Sequence, residues 1–194
     1  MFLDQPESGD GAQRMFDADE KYMGWVMNVS RLWAWQPESQ QALFDLLDSV
    51  SAGFSMRQRA LLVAACASTF GDSYCSMAWG GKLAKESDAE TAVAVLTGSD
   101  DGLTAPEKAM TRWARAVAGD PNATTQDDVD GLRSAGFSDA DIFAMTAFVG
   151  LRIAFSTVND ALGAQPDGEL RGFSPPEVIA AVDFGRPIAD DDAT

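Results

Sequence analysis

The chain has 194 residues, 46% of them hydrophobic, enough for one sizeable core, so a single domain with appendages is the default reading. Thirty acidic against 14 basic residues leave a formal charge of −16, a surface that repels phosphate backbones and anionic lipid heads; neither nucleic acid nor membrane is an expected partner. There is no histidine, which excludes a Ser-His-Asp triad, a Cys-His pair and any metal or haem site built on imidazole, and leaves proton transfer to carboxylates, Tyr, Lys, Cys or water.

Residues 1–16 are polar, interrupted by Gly9 and Gly11, and read as a loose arm. They have neither the basic start nor the apolar run of a secretory signal. The longest purely apolar run, Ala60 to Ala67, is less than half of a membrane span. Two cysteines make no disulfide framework, and the chain reads as cytoplasmic.

Residues 17–165 read as one all-α domain. From Asp17, Tyr22, Trp25, Val26, Val29, Leu32 and Trp33 fall on one helical stripe. Gln36-Pro37 interrupts it, and Pro37 suits the first position of a helix running to Val50. The tryptophans at this spacing read as core or subunit contact before they read as a ligand site. Ser55-x-x-Gln58 is a capping box for a helix rich in small residues, with Cys66 a buried, inert thiol in its middle. That helix breaks at Gly71, and Asp72-Ser73-Tyr74-Cys75 opens the next. Cys75 then sits in a first turn, where the helix dipole favours the thiolate and the negative charge of nearby Asp72 opposes it. A Cys66–Cys75 disulfide is not expected, because Cys66 lies more than one turn before the break.

Four more capping signals follow: Ser87-x-x-Glu90, Thr104-x-x-Glu107, Thr125-x-x-Asp128 and Ser138-x-x-Asp141. The last opens the longest run, Ile142 to Leu162. Phe143, Ala147, Val149, Gly150, Ile153, Ala154 and Val158 are its expected buried positions, with a stop at Gly163. Late in this helix, Asn159 and Asp160 read either as facing a cleft or partner subunit or as local capping. Residues 166–194 read as an extension with one short helix at Ser174-Pro175-Pro176-Glu177 and an acidic tail, Asp190-Asp191-Asp192. No strand alternation is visible, so the fold is all-α with about eight or nine helices.

The stretch Ser55 to Ala84 resembles the core motif of the alkylhydroperoxidase D-like family, which includes the carboxymuconolactone decarboxylases. Trp33-Ala34-Trp35-Gln36-Pro37 is similar to the amino-terminal segment of its peroxidase-related branch. The run from Gly136-Phe137-Ser138-Asp139 to Gly163 extends the likeness, which covers roughly residues 25–165. Peroxidase members carry Cys-x-x-Cys-x-x-x-His at a helix start and a Glu on the preceding helix. Laid on this chain, the second Cys falls on Cys75, the first on Asp72, the His on Trp79 and the Glu on Ala60.

The resemblance implies a multi-helix alkylhydroperoxidase D-like bundle that forms a homo-oligomer, a trimer or hexamer. It implies a peroxidase-related, thiol-dependent oxidoreductase with Cys75 as reactive cysteine and Asp72 beside it. Tyr74 and Trp79 would contact the substrate. No metal or other cofactor is implied. The partners would be a small-molecule substrate such as a hydroperoxide and an external thiol reductant, since Asp72 stands where a resolving cysteine would be. The alternative is a non-redox member: a binder with an aromatic pocket at Trp79, or a decarboxylase or lyase using Asp72 as acid or base. An anionic substrate would need a cation, for which Arg57, Arg59, Lys82 and Arg152 are the candidates.

Overall fold

The computed structural model describes residues 1–7 and 9–190; within them the chain forms eleven helices and no strand. They are α1 (Asp10–Tyr22), α2 (Asn28–Trp33), α3 (Pro37–Val50), α4 (Met56–Phe70), α5 (Ser73–Glu86) and α6 (Ala89–Leu96). Then come α7 (Ala105–Gly119), α8 (Gln126–Ser134), α9 (Asp139–Ala161), α10 (Leu170–Phe173) and α11 (Pro176–Ala180). Two of the eleven exceed the expected count because α10 and the α1–α2 break leave little trace in apolar spacing.

Helix α4 is the centre. Every residue from Ala60 to Ala67 is buried, and α5, α6, α7 and α9 all pack on it. A helix apolar on all sides has to be enclosed. Its alanines let neighbours come close, while Leu61, Leu62 and Val63 each contribute about 1.5–3 kcal/mol by leaving water. The capping box at Ser55 and Gln58 starts it, with each backbone N–H donating to the other's side chain. Gly71 ends it at φ 87°, a left-handed conformation that glycine adopts without penalty.

Several expected boundaries move. Residues 10–16 are the first turns of α1, held because Ala12 and Phe16 pack against Ala34. The expected stripe from Asp17 to Trp33 is two helices: Gly24 turns left-handed at φ 91°, and the Asp19 carboxylate accepts from the Met27 N–H at the turn. Ser87 does not cap α6. Its hydroxyl donates to the Leu83 carbonyl at the end of α5, and Asp88 caps instead by accepting from the Thr91 N–H. Asp191 and Asp192 of the acidic tail lie outside the described residues.

On α9 the buried positions are Ile142, Met145, Phe148, Val149, Arg152, Phe155, Ser156 and Asn159. Of the expected set only Val149 is among them, and Phe143 is 74% exposed. Both stripes have helical spacing, but the inner one carries Arg152, Ser156 and Asn159, whose polarity hides it from a search for apolar positions. By length and composition α9 is long and apolar enough to cross a membrane; here it packs on α3, α4, α7 and α8.

Residues 167–188 run back along α5. Tyr74 donates its hydroxyl to Asp167, and Ser174 donates to the Met77 carbonyl. Val178 packs at Gly80, where an added Cβ would lie 2.8 Å from it. Finally the Ser73 hydroxyl donates to the Arg186 carbonyl and accepts from the Arg186 N–H, at 2.7 and 2.9 Å. The extension therefore braces the helix that carries Cys75.

Candidate functional site

Asp72 is the N-cap of α5 and is fully buried. One carboxylate oxygen accepts from the Cys75 N–H at 2.9 Å, the cap the sequence anticipates. The other accepts from the Ser156 hydroxyl of α9 at 2.5 Å, a short bond of the charge-assisted kind. The cap thus also ties α5 to α9.

Cys75 is 2% exposed. Its Sγ receives a hydrogen bond from an Arg152 guanidinium nitrogen at 3.3 Å, and the Ser156 hydroxyl lies 4.0 Å away. Position in the first turn suggests a lowered pKa, but the surroundings reverse this. Burial pushes the thiol well above its ordinary value, the Asp72 charge pushes it further, and Arg152 opposes both. Removing a small ion from water outweighs the half-charge of a helix dipole. At neutral pH Cys75 therefore rests as a thiol, with a proton acceptor and a cation in contact range.

Arg152 is 5% exposed. Its guanidinium lies 5.1 Å from the centre of the Trp79 ring and 5.3 Å from that of Phe155. Phe155 stacks on Trp33, whose indole N–H donates to Asn159 at 2.8 Å. The Asn159 oxygen thus holds α2 to α9, while its amide nitrogen is buried without a hydrogen-bond partner. The second ring cation is Lys82, with Nζ 4.2 Å from the centre of the Trp79 ring. Cys75, Trp79 and Lys82 are spaced by four and three residues, so they share one face of α5.

Of the four positions singled out on the resemblance, Asp72, Cys75 and Trp79 come together around Arg152. Tyr74 is close in sequence, but its one donor is committed to Asp167, and burial raises its pKa well above the ordinary value. Ala60 is sealed in the core, and Cys66 is buried and free, its thiol pushed up to about 12 by burial. Arg57 and Arg59 are used elsewhere, Arg57 on Glu107 at 2.6 Å and Arg59 on Asp48 and the Ser51 carbonyl. Ser156 carries no signal in the sequence beyond its place one turn after Arg152. A surface cavity of about 780 Å³ lies between α1 and α3, lined by residues such as Asp19, Met27 and Phe44, and Cys75 is not in its wall.

Two crystal structures of uncharacterized peroxidase-related proteins match this architecture with a TM-score of 0.77 each. One, from Ralstonia eutropha JMP134, is described as an alkylhydroperoxidase AhpD core; it is 24% identical over 87% of this chain and 93% of its own. The other, from Silicibacter sp. TM1040, is 23% identical over 88% and 94%.

The fold is alkylhydroperoxidase D-like.

The debrominase Bmp8 has the same fold, with a TM-score of 0.72 at 14% identity over 93% of this chain and 96% of its own. A cysteine-to-alanine variant of that debrominase in complex with 2,3,4-tribromopyrrole matches at 0.69. No family model and no curated protein matches the sequence. At these identities the alkylhydroperoxidase D-like scaffold is what is shared, and the chemistry has to be argued from the residues above.

Proposed function

We propose that the protein is a thiol-dependent oxidoreductase in which Cys75 attacks a hydroperoxide and an external thiol completes the cycle. The observation that carries the reading is the Arg152 guanidinium 3.3 Å from the Cys75 sulfur, with the Asp72 carboxylate in the same buried cluster. In the first step Asp72 takes the thiol proton and Arg152 stabilises the thiolate. Sulfur forms a bond to the outer peroxide oxygen as the O–O bond breaks, giving Cys75 sulfenic acid. The departing alkoxide recovers a proton from Asp72. Two molecules of external thiol then return Cys75 to the thiol, forming a disulfide and water. The balance is ROOH + 2 R′SH → ROH + R′SSR′ + H2O. Ser156 keeps Asp72 oriented through its 2.5 Å bond.

The fold shared with peroxidase-related proteins supports this reading. A second electrophile is favoured by the Trp79 and Phe155 rings beside Arg152 and by the fold shared with a debrominase: a halogenated aromatic ring. Its balance is RBr + 2 R′SH → RH + R′SSR′ + HBr, with the same sulfur and the same reductant.

The test is the rate at which Cys75 reacts with hydrogen peroxide and an organic hydroperoxide. Mass spectrometry with a sulfenic-acid trap reads it, with Cys75→Ser and Cys66→Ser as controls. Oxidation that depends on Cys75 and reverses with added thiol is expected. A rate no higher than that of free cysteine overturns the peroxidase; bromide release from a bromopyrrole under the same conditions would then select the second electrophile.

A further inference from the structure

The cluster around Trp79 holds more positive charge than the chemistry at sulfur uses. Among the described residues, neither Arg152 nor Lys82 has a carboxylate within 4.0 Å. Arg57 is paired with Glu107 and Arg115 with Asp100 at 3.0 Å, whereas the partly covered Arg31 and Arg186, like Arg152, have no described carboxylate in that range. In a chain with 30 acidic and 14 basic residues, a partner for a cation is easy to supply. What sets Arg152 and Lys82 apart is that both lie over the Trp79 ring with no carboxylate within 4.0 Å of either, although Asp72 is in the same cluster.

Arg152 is also incompletely satisfied. One nitrogen donates to Cys75, while its Nε is buried and has no hydrogen-bond partner. A buried donor left unmade is expensive, and a buried unpaired charge more so. Lys82 is half-buried on the same face of α5 as Cys75. Burial and the like charge of Arg152 both lower its pKa, the strain expected of a cation without its counter-ion.

We propose that Lys82 and Arg152 form an anion subsite over Trp79, and that the electrophile reaching Cys75 is a small organic molecule bearing a carboxylate or an equally compact anionic group. This rests on Cys75 being the reactive group proposed above, and it adds the substrate's charge class. Lys82 supplies the half-exposed cation that meets the anion, and Arg152 spans the anion and the sulfur. The Trp79 ring gives the organic part a flat, apolar surface. The same arrangement favours an anionic substrate over a neutral one of equal size, because the neutral one leaves both cations unpaired.

A pair of alkylating reagents of the same shape isolates the charge: iodoacetate and iodoacetamide. Each is applied to the native protein at fixed ionic strength, with Cys75 labelling followed by mass spectrometry. The iodoacetate-to-iodoacetamide rate ratio at Cys75 is expected to exceed that of free cysteine at least 10-fold. Lys82→Gln should bring it down to the free-cysteine ratio, and Lys82→Arg should restore it. A wild-type ratio at or below that of free cysteine overturns the subsite. So does a ratio that Lys82→Gln leaves unchanged, or labelling by neither reagent until the protein is unfolded. Peroxide oxidation measured on the same samples separates the two claims. Charge-blind labelling with fast peroxide oxidation removes the subsite alone, whereas charge-selective labelling without oxidation removes the peroxidase and keeps the subsite.

Discussion

Cys66 and Cys75 stand nine residues apart, on helices that pack against each other, and both are almost wholly removed from water. Burial is the largest influence on each thiol, and both feel the same two charges, Arg152 and Asp72. What separates them is contact. Cys75 receives a hydrogen bond from Arg152 and lies beside the Ser156–Asp72 pair, whereas Cys66 is surrounded by the apolar core of α4. A long-range field adjusts a pKa. A touching cation and a touching base let a proton leave at the moment of reaction.

The largest effect expected from breaking this contrast is that of Arg152→Met. Losing an opposite charge at contact shifts a thiol by about one to three pKa units, so Cys75 oxidation should slow ~100-fold while labelling of Cys66 in the partly unfolded protein stays the same. An equal loss at both thiols would make Arg152 a general structural residue. Next comes Asp72→Asn, which keeps the helix cap, since Asn caps as well as Asp. It should raise Cys75 alkylation about 10-fold, because the raising charge is gone, yet lower thiol-peroxide turnover, because the base is gone. If both rates rise together, Asp72 is no base. Ser156→Ala should cost about 1–3 kcal/mol in chemical denaturation by leaving an Asp72 oxygen unpaired, and should slow Cys75 about 3- to 10-fold. Cys66→Ala sharpens the comparison from the other side: about 1 kcal/mol of stability lost and Cys75 kinetics unchanged.

The smallest effect belongs to Asp160, one turn beyond Ser156. Burial, and then the Asp72 charge, raise its pKa to about 7, with Arg186 opposing. The folded protein therefore keeps a proton that the unfolded chain releases near pH 4. Between pH 4 and 7 the folded state binds more protons, so stability falls as pH rises through that window. Because Asp160 is half-exposed, about 1 kcal/mol is a fair size after screening. Asp160→Asn should flatten the pH dependence of thermal melting there; an unchanged slope would detach Asp160 from the Asp72 cluster.

Much of this was legible in the residues. Ser55, Gln58, Gly71 and Asp72 announce a helix end and a helix start by local chemistry alone, and those boundaries stand. Pro37, Thr104, Thr125, Ser138 and Gly163 do the same. What local chemistry cannot give is the rotation of α9. Its inner face was masked by its own polarity, and an apolar search settles on the stripe of Phe143, Gly150 and Ala154, which faces outward. The upward shift of the Cys75 thiol is hidden from the sequence for a related reason. The dipole and the opposing charge of Asp72 can be read from the chain, whereas burial, the largest influence, belongs to the packed bundle. Ser156 and the Tyr74–Asp167 bond join residues 84 and 93 positions apart, and no spacing rule reaches that far.

The brace along α5 has a consequence for how the protein is made. Arg186, which closes over the start of that helix, is synthesised 113 residues after Ser73, its partner. Throughout that interval a nascent chain holds the Cys75 helix without its final cover. The start of α5 is therefore among the last parts of the bundle to be closed.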